Sequence, residues 1–167
     1  MISTMFDVMQ LNEEHDRDSF YSGSEFLDGY FQRQVGQDVR RRVAACFVAL
    51  HDHRVAGYYT LAAAGIQLTN LPTATIKKLP RYPTVPAVRM GRLAVDQAFR
   101  SQGLGGALLA DAIERTIRAE IASYALLVDA KDDNAVRFYR HHGFIALPDS
   151  PFTLFLPLIA VDKKGKK

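Results

Sequence analysis

A glycine-rich segment between a strand and a long helix constrains the fold of this chain more than any other feature. The segment is Arg100-Ser101-Gln102-Gly103-Leu104-Gly105-Gly106, and it connects a strand predicted over 86–95 to a helix predicted over 103–121. That helix carries apolar side chains at helical spacing, and a second apolar strand is predicted over 124–128. A strand, a helix and a strand in this order are typical of parallel neighbours joined by a crossover helix.

Shorter predicted elements flank this unit on both sides. An apolar run, a polar turn and a second run of strand formers over 43–61 indicate a β-hairpin. Two further strands are predicted over 144–146 and 152–156. The remaining predicted helices cover 24–34 with Ser24 as N-cap, part of 69–83, and 132–142 with Asp132 or Asp133 as N-cap and Gly143 at its end.

Length and composition favour an ordinary globular protein. With 167 residues and neither a repeat nor a linker, the chain fits one domain over 1–160, followed by a basic tail over 161–167 that we expect to be disordered. The sequence has no apolar run of about 18 residues and no signal peptide, which favours a cytoplasmic protein outside the membrane. The single cysteine, Cys46, excludes an intrachain disulfide and lies in an apolar run, as a core residue does.

Charge is distributed unevenly along the chain. Residues 1–28 hold seven acidic and one basic side chain, whereas residues 29–100 hold eleven basic and three acidic ones. Residues 101–167 are almost balanced, with nine basic and eight acidic side chains. The middle of the chain is therefore a candidate anion-binding surface, and a solvated basic face without a partner is the alternative.

The glycine-rich segment itself suits a bound pyrophosphate. Glycines let the backbone approach a ligand, and the first turn of the following helix offers free N–H groups at its positive dipole end. Taken alone, the segment is equally compatible with a flexible connection. It matches neither the Walker pattern, which needs Lys-Ser or Lys-Thr after the glycines, nor the dinucleotide pattern of glycine spacing.

In its context the segment resembles the acetyl-CoA motif of the GNAT acetyltransferases. Arg100, Gly103 and Gly105 match Q/R-x-x-G-x-G/A, the run over 91–96 is similar to the family's fourth strand, and the run over 134–144 is similar to its closing helix. The resemblance implies an α/β (α+β) GNAT fold. In that fold a mixed, mostly antiparallel central sheet has splayed parallel strands 4 and 5 and is flanked by helices.

The resemblance also implies site residues. Tyr139 would be the general acid that protonates the departing thiolate, in direct transfer within a ternary complex. On the tyrosine alone, a core role would be preferred. Acetyl-CoA would be the cosubstrate, without a metal, and would contact Leu93, Ala94, Val95, Arg100, Ser101, Gln102, Gly103, Leu104, Gly105, Gly106, Asn134 and Phe138.

A narrower resemblance is to the TacT-like GNAT toxins of bacterial toxin–antitoxin systems. It rests on the segments 40–43, 55–61, 79–83, 128–131 and 155–158. It implies acetylation of the α-amine of aminoacyl-tRNA and a block of translation. It also implies a ribbon-helix-helix antitoxin, operator DNA bound only through the antitoxin complex, and a homodimer.

The absence of a carboxylate in the predicted fourth strand favours the same substrate. Residues 89–95 contain neither Asp nor Glu, so this strand supplies no obvious general base. A lysine amine has a pKa of about 10.4, whereas an α-amine titrates at about 7.7–8.0, and a neighbouring ester lowers that value further. An aminoacyl ester therefore needs a general base less than a lysine does.

The basic middle of the chain fits the same substrate. Its candidate RNA-binding residues are Arg33, Arg40, Arg41, Arg42, Lys77, Lys78, Arg81 and Arg92.

Two alternatives remain open from the sequence. One is a GNAT acetyltransferase of a small amine or a protein amine, and the other is a non-catalytic acyl-CoA-binding or RNA-binding module.

The sequence contains two pairs of histidines that lie close together in the chain, His51 with His53 and His141 with His142. Neither pair has the carboxylate or thiolate partners of a metal site. No metal is therefore expected.

Overall fold

The computed structural model describes residues 6–165, with the backbone alone for 163–165. The strands of this part are β1 (Asp7–Gln10), β2 (Ala45–His51), β3 (Arg54–Gln67), β4 (Thr84–Val95), β5 (Ala125–Asp129), β6 (Ile145–Leu147) and β7 (Ser150–Pro157). The helices are α1 (Glu25–Gly29), α2 (Val35–Arg40), α3 (Thr73–Ile76), α4 (Leu104–Arg118), α5 (Asp133–His141) and α6 (Leu158–Gly165). The strands follow the order β1-β2-β3-β4-β5-β7-β6 in one mixed sheet.

The first of two compact units contains the described residues up to Ala62 together with Gly91–Ala112. Strand β2 pairs antiparallel with both β1 and β3, which confirms the predicted hairpin. The core of this unit combines apolar side chains of β2, β3 and the end of β4 with others from residues 20–35, and the rings of Phe31 and Tyr58 stack 4.4 Å apart in it. Cys46 is fully buried in this core, and burial raises the pKa of its thiol to about 12. The prediction that Cys46 is a core residue is therefore confirmed.

The second unit contains Ala63–Met90 and the described residues from Ile113 onward. Residues Ala87–Met90 of β4 run parallel to residues 125–128 of β5, as the strand–helix–strand pattern predicts. Strand β7 pairs antiparallel with β5 on one side and with β6 on the other. The core of the second unit includes Phe155, Leu127 and Ala125, all of which are buried.

Side-chain caps set the start of two helices. The Ser24 hydroxyl accepts a hydrogen bond from the Leu27 N–H (3.3 Å) at α1, and the Asp132 carboxylate accepts one from the Ala135 N–H (2.8 Å) at α5. Both residues satisfy an N–H group that has no partner inside its helix, so both predicted caps are confirmed. At the other end of α5, Gly143 has φ +94°, a conformation that favours glycine.

The structure differs from the predicted elements at several places. Strand β3 runs six residues beyond the predicted hairpin to Gln67, and α4 ends at Arg118, three residues before the predicted end. The helix predicted over 24–34 continues through a π-helical turn over Tyr30–Gln34 into α2 and ends at Arg40. Strand β1 and helix α6 were not predicted. The tail expected to be disordered begins inside α6, and Lys166 and Lys167 lie outside the described residues.

Candidate active site

The glycine-rich loop of the first unit has the backbone conformation of an anion cradle. Ser101 and Gly103 have φ values of +63° and +77°, in the left-handed region that favours glycine. The Ala107 N–H donates to the Gly103 carbonyl (3.1 Å), so the hydrogen bonding of α4 begins at Gly103 and the first N–H groups of the helix have no acceptor inside it. A Cβ built on Gly103 meets no protein atom within 4 Å. The open space and the free donors fit the pyrophosphate of a coenzyme A molecule.

A buried carboxylate, Asp96, holds the entry of this loop. Asp96 is 2% exposed and follows the last residue of β4. Its oxygens accept hydrogen bonds from the Tyr21 N–H (2.9 Å), the Ala98 N–H (2.9 Å) and the Arg54 guanidinium (3.3 Å). The sequence analysis missed this role, because a carboxylate after a strand does not reveal that its partners lie far away in the chain.

Arg100 is tied to the N-terminal segment. Its guanidinium donates a hydrogen bond to the Ser22 carbonyl, and the nearby Gln97 N–H donates to the Tyr21 carbonyl (2.9 Å). The Ser22 hydroxyl in turn donates to the buried Asp28 carboxylate (2.6 Å). The side chain of Arg100 therefore anchors the loop. That its charge also acts on a pyrophosphate stays a prediction.

The predicted cofactor residues of β4 lie at the end of that strand. Ala94 is buried in the core of the first unit, whereas Leu93 and Val95 are half-buried. Because side chains alternate along a strand, Leu93 and Val95 point to the side opposite Ala94. The splaying of β4 from β5 and the binding of pantetheine at these residues stay predictions.

The other predicted site residues lie on α5 in the second unit. Tyr139 is 7% exposed, with its ring 5.2 Å from that of Phe138 and 5.4 Å from that of Phe144. Burial, and to a smaller extent the negative charge of Asp129, raise the pKa of Tyr139 to about 12. This pKa keeps Tyr139 a neutral phenol at neutral pH, and its hydroxyl makes no hydrogen bond with any residue from 6 to 165. Asn134 is exposed, and its side-chain oxygen accepts a hydrogen bond from Arg137.

Asp129, at the end of β5, is a second charged residue that the sequence analysis missed. Its carboxylate pairs with the Arg89 guanidinium and accepts a hydrogen bond from the Thr153 hydroxyl (3.1 Å). The negative charge of Asp129 contributes to the raised pKa of Tyr139. A carboxylate that follows a buried strand was the available signal.

The candidate RNA-binding residues fall in both units. Arg33, Arg40, Arg41 and Arg42 are exposed in the first unit, and Lys77, Lys78 and Arg81 are exposed in the second unit, at and after the end of α3. Arg92 differs from them because it is half-buried against aromatic rings in the first unit. Contact of these residues with RNA stays a prediction.

Two further searches covered residues 6 to 165. No group of three or more His, Cys, Asp or Glu side chains in this range has the arrangement of a metal site. No helix in the same range is both long and apolar enough to cross a bilayer.

Gly103→Ala is expected to weaken acetyl-CoA binding by about tenfold or more, because a Cβ would enter the space in front of the free N–H groups. The change also imposes a left-handed φ on an alanine, which costs about 1 kcal/mol or more. Gly143→Ala is the matched control, since Gly143 is also left-handed (φ +94°) but lies after α5. Calorimetric titration with acetyl-CoA should find the loss of affinity in Gly103→Ala alone. Binding of acetyl-CoA by Gly103→Ala as tightly as by Gly143→Ala and wild type would exclude the loop as the cradle.

A family model and several known proteins match the chain. The model described as an acetyltransferase (GNAT) domain matches residues 42–146. A "tRNA-acetylating toxin" of Mycobacterium tuberculosis (strain ATCC 25618 / H37Rv) is 35% identical over 149 residues, which cover 88% of this chain and 89% of the relative.

Two solved structures share the architecture over almost their whole length. AtaT complexed with acetyl-methionyl-tRNAfMet has a TM-score of 0.88 at 26% identity and covers 97% of this chain and 100% of its own. AtaTR bound with AcCoA has a TM-score of 0.79 at 26% identity and covers 96% of this chain and 98% of its own.

Proposed function

Because the chain belongs to the GNAT acetyltransferase family, we propose that it transfers the acetyl group of acetyl-CoA to the α-amine of aminoacyl-tRNA. The observation that carries this proposal is the similarity to a tRNA-acetylating toxin over 88% of the chain. The bound acetyl-CoA and acetylated tRNA of the two structural relatives support the same donor and the same acceptor. The enzyme is accordingly an N-acetyltransferase.

Acetyl-CoA, the acetyl donor, is held by backbone groups. The N–H groups of the loop over 100–106 bind the pyrophosphate, and the backbone of Leu93, Ala94 and Val95 binds the pantetheine arm as an added strand. An N–H near Leu93 polarises the thioester carbonyl. Asn134 and Phe138 complete the contacts. Coenzyme A supplies a thiol leaving group when it is bound.

Tyr139 controls the departure of that leaving group. As the substrate amine attacks the carbonyl carbon, the new C–N bond forms and the C–S bond breaks in one ternary complex. Tyr139 donates its hydroxyl proton to the sulfur, and the proton lost by the amine goes to solvent. Tyr139 can act as the acid because its raised pKa keeps the phenol protonated at neutral pH.

The carboxylates near the predicted site residues favour an amine that is already neutral. Asp96 is buried and accepts three hydrogen bonds, so it is not free to act as a general base, and the half-exposed Asp129 pairs with Arg89 and accepts a hydrogen bond from Thr153. The α-amine of an aminoacyl ester needs no such base, because an ester lowers its pKa below the usual range of about 7.7–8.0. A lysine amine would need one.

The basic residues are proposed to bind the phosphates of the RNA. Since charged tRNA is used by the translation machinery, we place the enzyme in the cytoplasm. A cell must neutralise an enzyme that consumes its charged tRNA, so we propose a cognate antitoxin of the ribbon-helix-helix type. Operator DNA would be bound only through that complex, and the enzyme itself would be a homodimer. The description of the mycobacterial relative as a toxin supports this part of the proposal.

Incubation with labelled acetyl-CoA and total charged tRNA tests the function directly. We expect label in the aminoacyl-tRNA, on the amino group of the attached amino acid, and none in deacylated tRNA. Mild alkali should release the label as an N-acetyl amino acid, because it cleaves the ester and spares the amide. Label only in free amines or in protein lysines would identify the alternative acetyltransferase.

A further inference from the structure

A guanidinium that makes no ion pair within residues 6–165 lies against two aromatic rings in the first unit. The Cζ atom of Arg92 is 3.6 Å from the ring centroid of Tyr30 and 5.4 Å from that of Phe26. Within residues 6–165, Arg92 makes no ion pair, and its Nε is buried without a hydrogen-bond acceptor. The Nε atom is covered by protein and lies out of reach of a ligand, whereas the Nη groups of this half-buried side chain have no acceptor within the same residues. Nη groups without an acceptor suit an anionic ligand.

An acid beside this cluster, Asp38, is engaged by hydrogen bonds. The Asp38 carboxylate accepts hydrogen bonds from the Tyr30 hydroxyl (2.8 Å) and from the Gln34 side-chain amide (3.1 Å). These bonds, with a smaller contribution from the charge of Arg92, lower the pKa of Asp38. Asp38 therefore holds the Tyr30 ring in place under Arg92, while the Nη groups of Arg92 make no hydrogen bond within residues 6–165.

The backbone that carries the two rings is rigidly anchored. The Tyr58 hydroxyl donates to the Leu27 carbonyl (2.8 Å), and Asp28 accepts from the Ser22 N–H (2.9 Å) and hydroxyl. Tyr30 opens a π-helical turn, a local widening of the helix that occurs often at functional sites. Phe26, in contrast, is 70% exposed. A large aromatic side chain on an anchored helix next to a cation is a platform for a planar ligand.

We propose that Phe26, Tyr30 and Arg92, here called the Arg92 platform, bind the last nucleotide of the substrate RNA. The guanidinium contacts the phosphate that precedes the terminal adenosine, and the adenine stacks on Phe26. The inference deepens the proposed function and rests on it. Arg92 directly precedes Leu93, whose backbone is proposed to contact the thioester, so the platform lies beside the point of transfer.

The chemistry of the acceptor selects a phosphate as the anion. In an aminoacyl-tRNA the carboxyl group of the amino acid is esterified and carries no charge, so the anion nearest the amine is the terminal phosphodiester. The free carboxylate of an amino acid or a peptide would also suit Arg92. It would leave the exposed Phe26 ring without a base to stack on.

Two minimal acceptors separate the two contacts. Both are 3′-aminoacyl esters, one of adenosine and one of the dinucleotide cytidylyl-adenosine, which adds the phosphodiester. We expect wild-type kcat/KM to be about tenfold or more higher for the dinucleotide ester. Arg92→Gln should abolish that preference and leave the adenosine ester within about threefold of wild type. Phe26→Ala should lower kcat/KM about fivefold or more for both esters, and Phe26→Tyr should restore it.

Matched controls keep the result interpretable. Arg118→Gln removes an exposed arginine that pairs with Glu114 on α4, and Phe152→Ala removes another exposed aromatic ring. Both should leave kcat/KM within about twofold of wild type for each ester. Acetyl-CoA affinity and the thermal midpoint of Arg92→Gln and Phe26→Ala, measured in parallel, should stay near wild type.

Each contrary result has a distinct meaning. If wild type acetylates charged tRNA but Arg92→Gln loses the same factor on both esters, the phosphate contact is wrong and the proposed function stands. Unchanged rates for Phe26→Ala would overturn the stacking contact in the same way. If wild type acetylates amines with a free carboxylate and neither the esters nor charged tRNA, the proposed function fails, and the platform is overturned with it.

Discussion

Tyr139→Phe is expected to lower the rate of acetyl transfer by about 10²–10⁴-fold while acetyl-CoA affinity stays unchanged. The substitution removes the proton that the leaving thiolate needs. It spares the ring contacts with Phe138 and Phe144, and it breaks no hydrogen bond within residues 6–165. The loss should therefore appear in the chemical step and leave the fold intact.

The raised pKa of Tyr139 adds a pH dependence to this expectation. A general acid acts in its protonated form, so a pKa of about 12 keeps Tyr139 competent through the neutral and mildly alkaline range. Ionisation of Tyr139 should remove activity only near that pKa. Asp129→Asn deletes the charge that helps to raise the pKa, so any decline of activity at high pH should move to lower pH in that variant.

Rapid-quench measurements of single turnovers, with charged tRNA as acceptor, test the role of Tyr139. Tyr124→Phe is the matched control, because Tyr124 is a half-buried tyrosine of the same unit, and its pKa is also raised by burial. In bacteria, wild type should arrest growth, and Tyr139→Phe at equal protein level should not. Rates of Tyr139→Phe within twofold of wild type would remove this residue from catalysis. Equal toxicity of the two proteins would mean that binding alone does the harm.

Asp96→Ala is expected to lower the free energy of unfolding by about 2–4 kcal/mol, because two backbone N–H groups and Arg54 lose their acceptor. The same change should lower acetyl-CoA affinity, since the entry of the glycine-rich loop loses its anchor to Tyr21. Asp96→Asn keeps one side-chain oxygen as an acceptor and should lie between wild type and Asp96→Ala.

Urea unfolding and calorimetric titration measure the two effects of Asp96 separately. Asp149→Ala, which changes an exposed aspartate between β6 and β7, is the control, and its stability should stay within about 0.5 kcal/mol of wild type. If Asp96→Ala retained wild-type affinity despite its lower stability, the anchor would support the fold and not the loop.

Several local features were predictable because the interactions that set them lie close together in the chain. Ser24 caps α1 through Leu27 and Asp132 caps α5 through Ala135, each three residues away. The parallel pairing of β4 and β5 followed from the helix between them. Strand β1 was missed because its four residues acquire their structure only by pairing with β2, from which they are remote in sequence.

The sequence by itself determined the family and the glycine-rich loop, because the motif residues are adjacent in the chain and their roles are carried by backbone conformation. Tertiary structure alone decided how the charged side chains are used. Asp96 accepts from Tyr21 across 75 positions, and Arg100 donates to Ser22 across 78. Arg92 makes no ion pair within residues 6–165, although its charge acts on Asp38, which accepts hydrogen bonds from Tyr30 and Gln34. The partners of a charge, and thereby its role, depend on which distant residues the fold places beside it, and no local pattern records that.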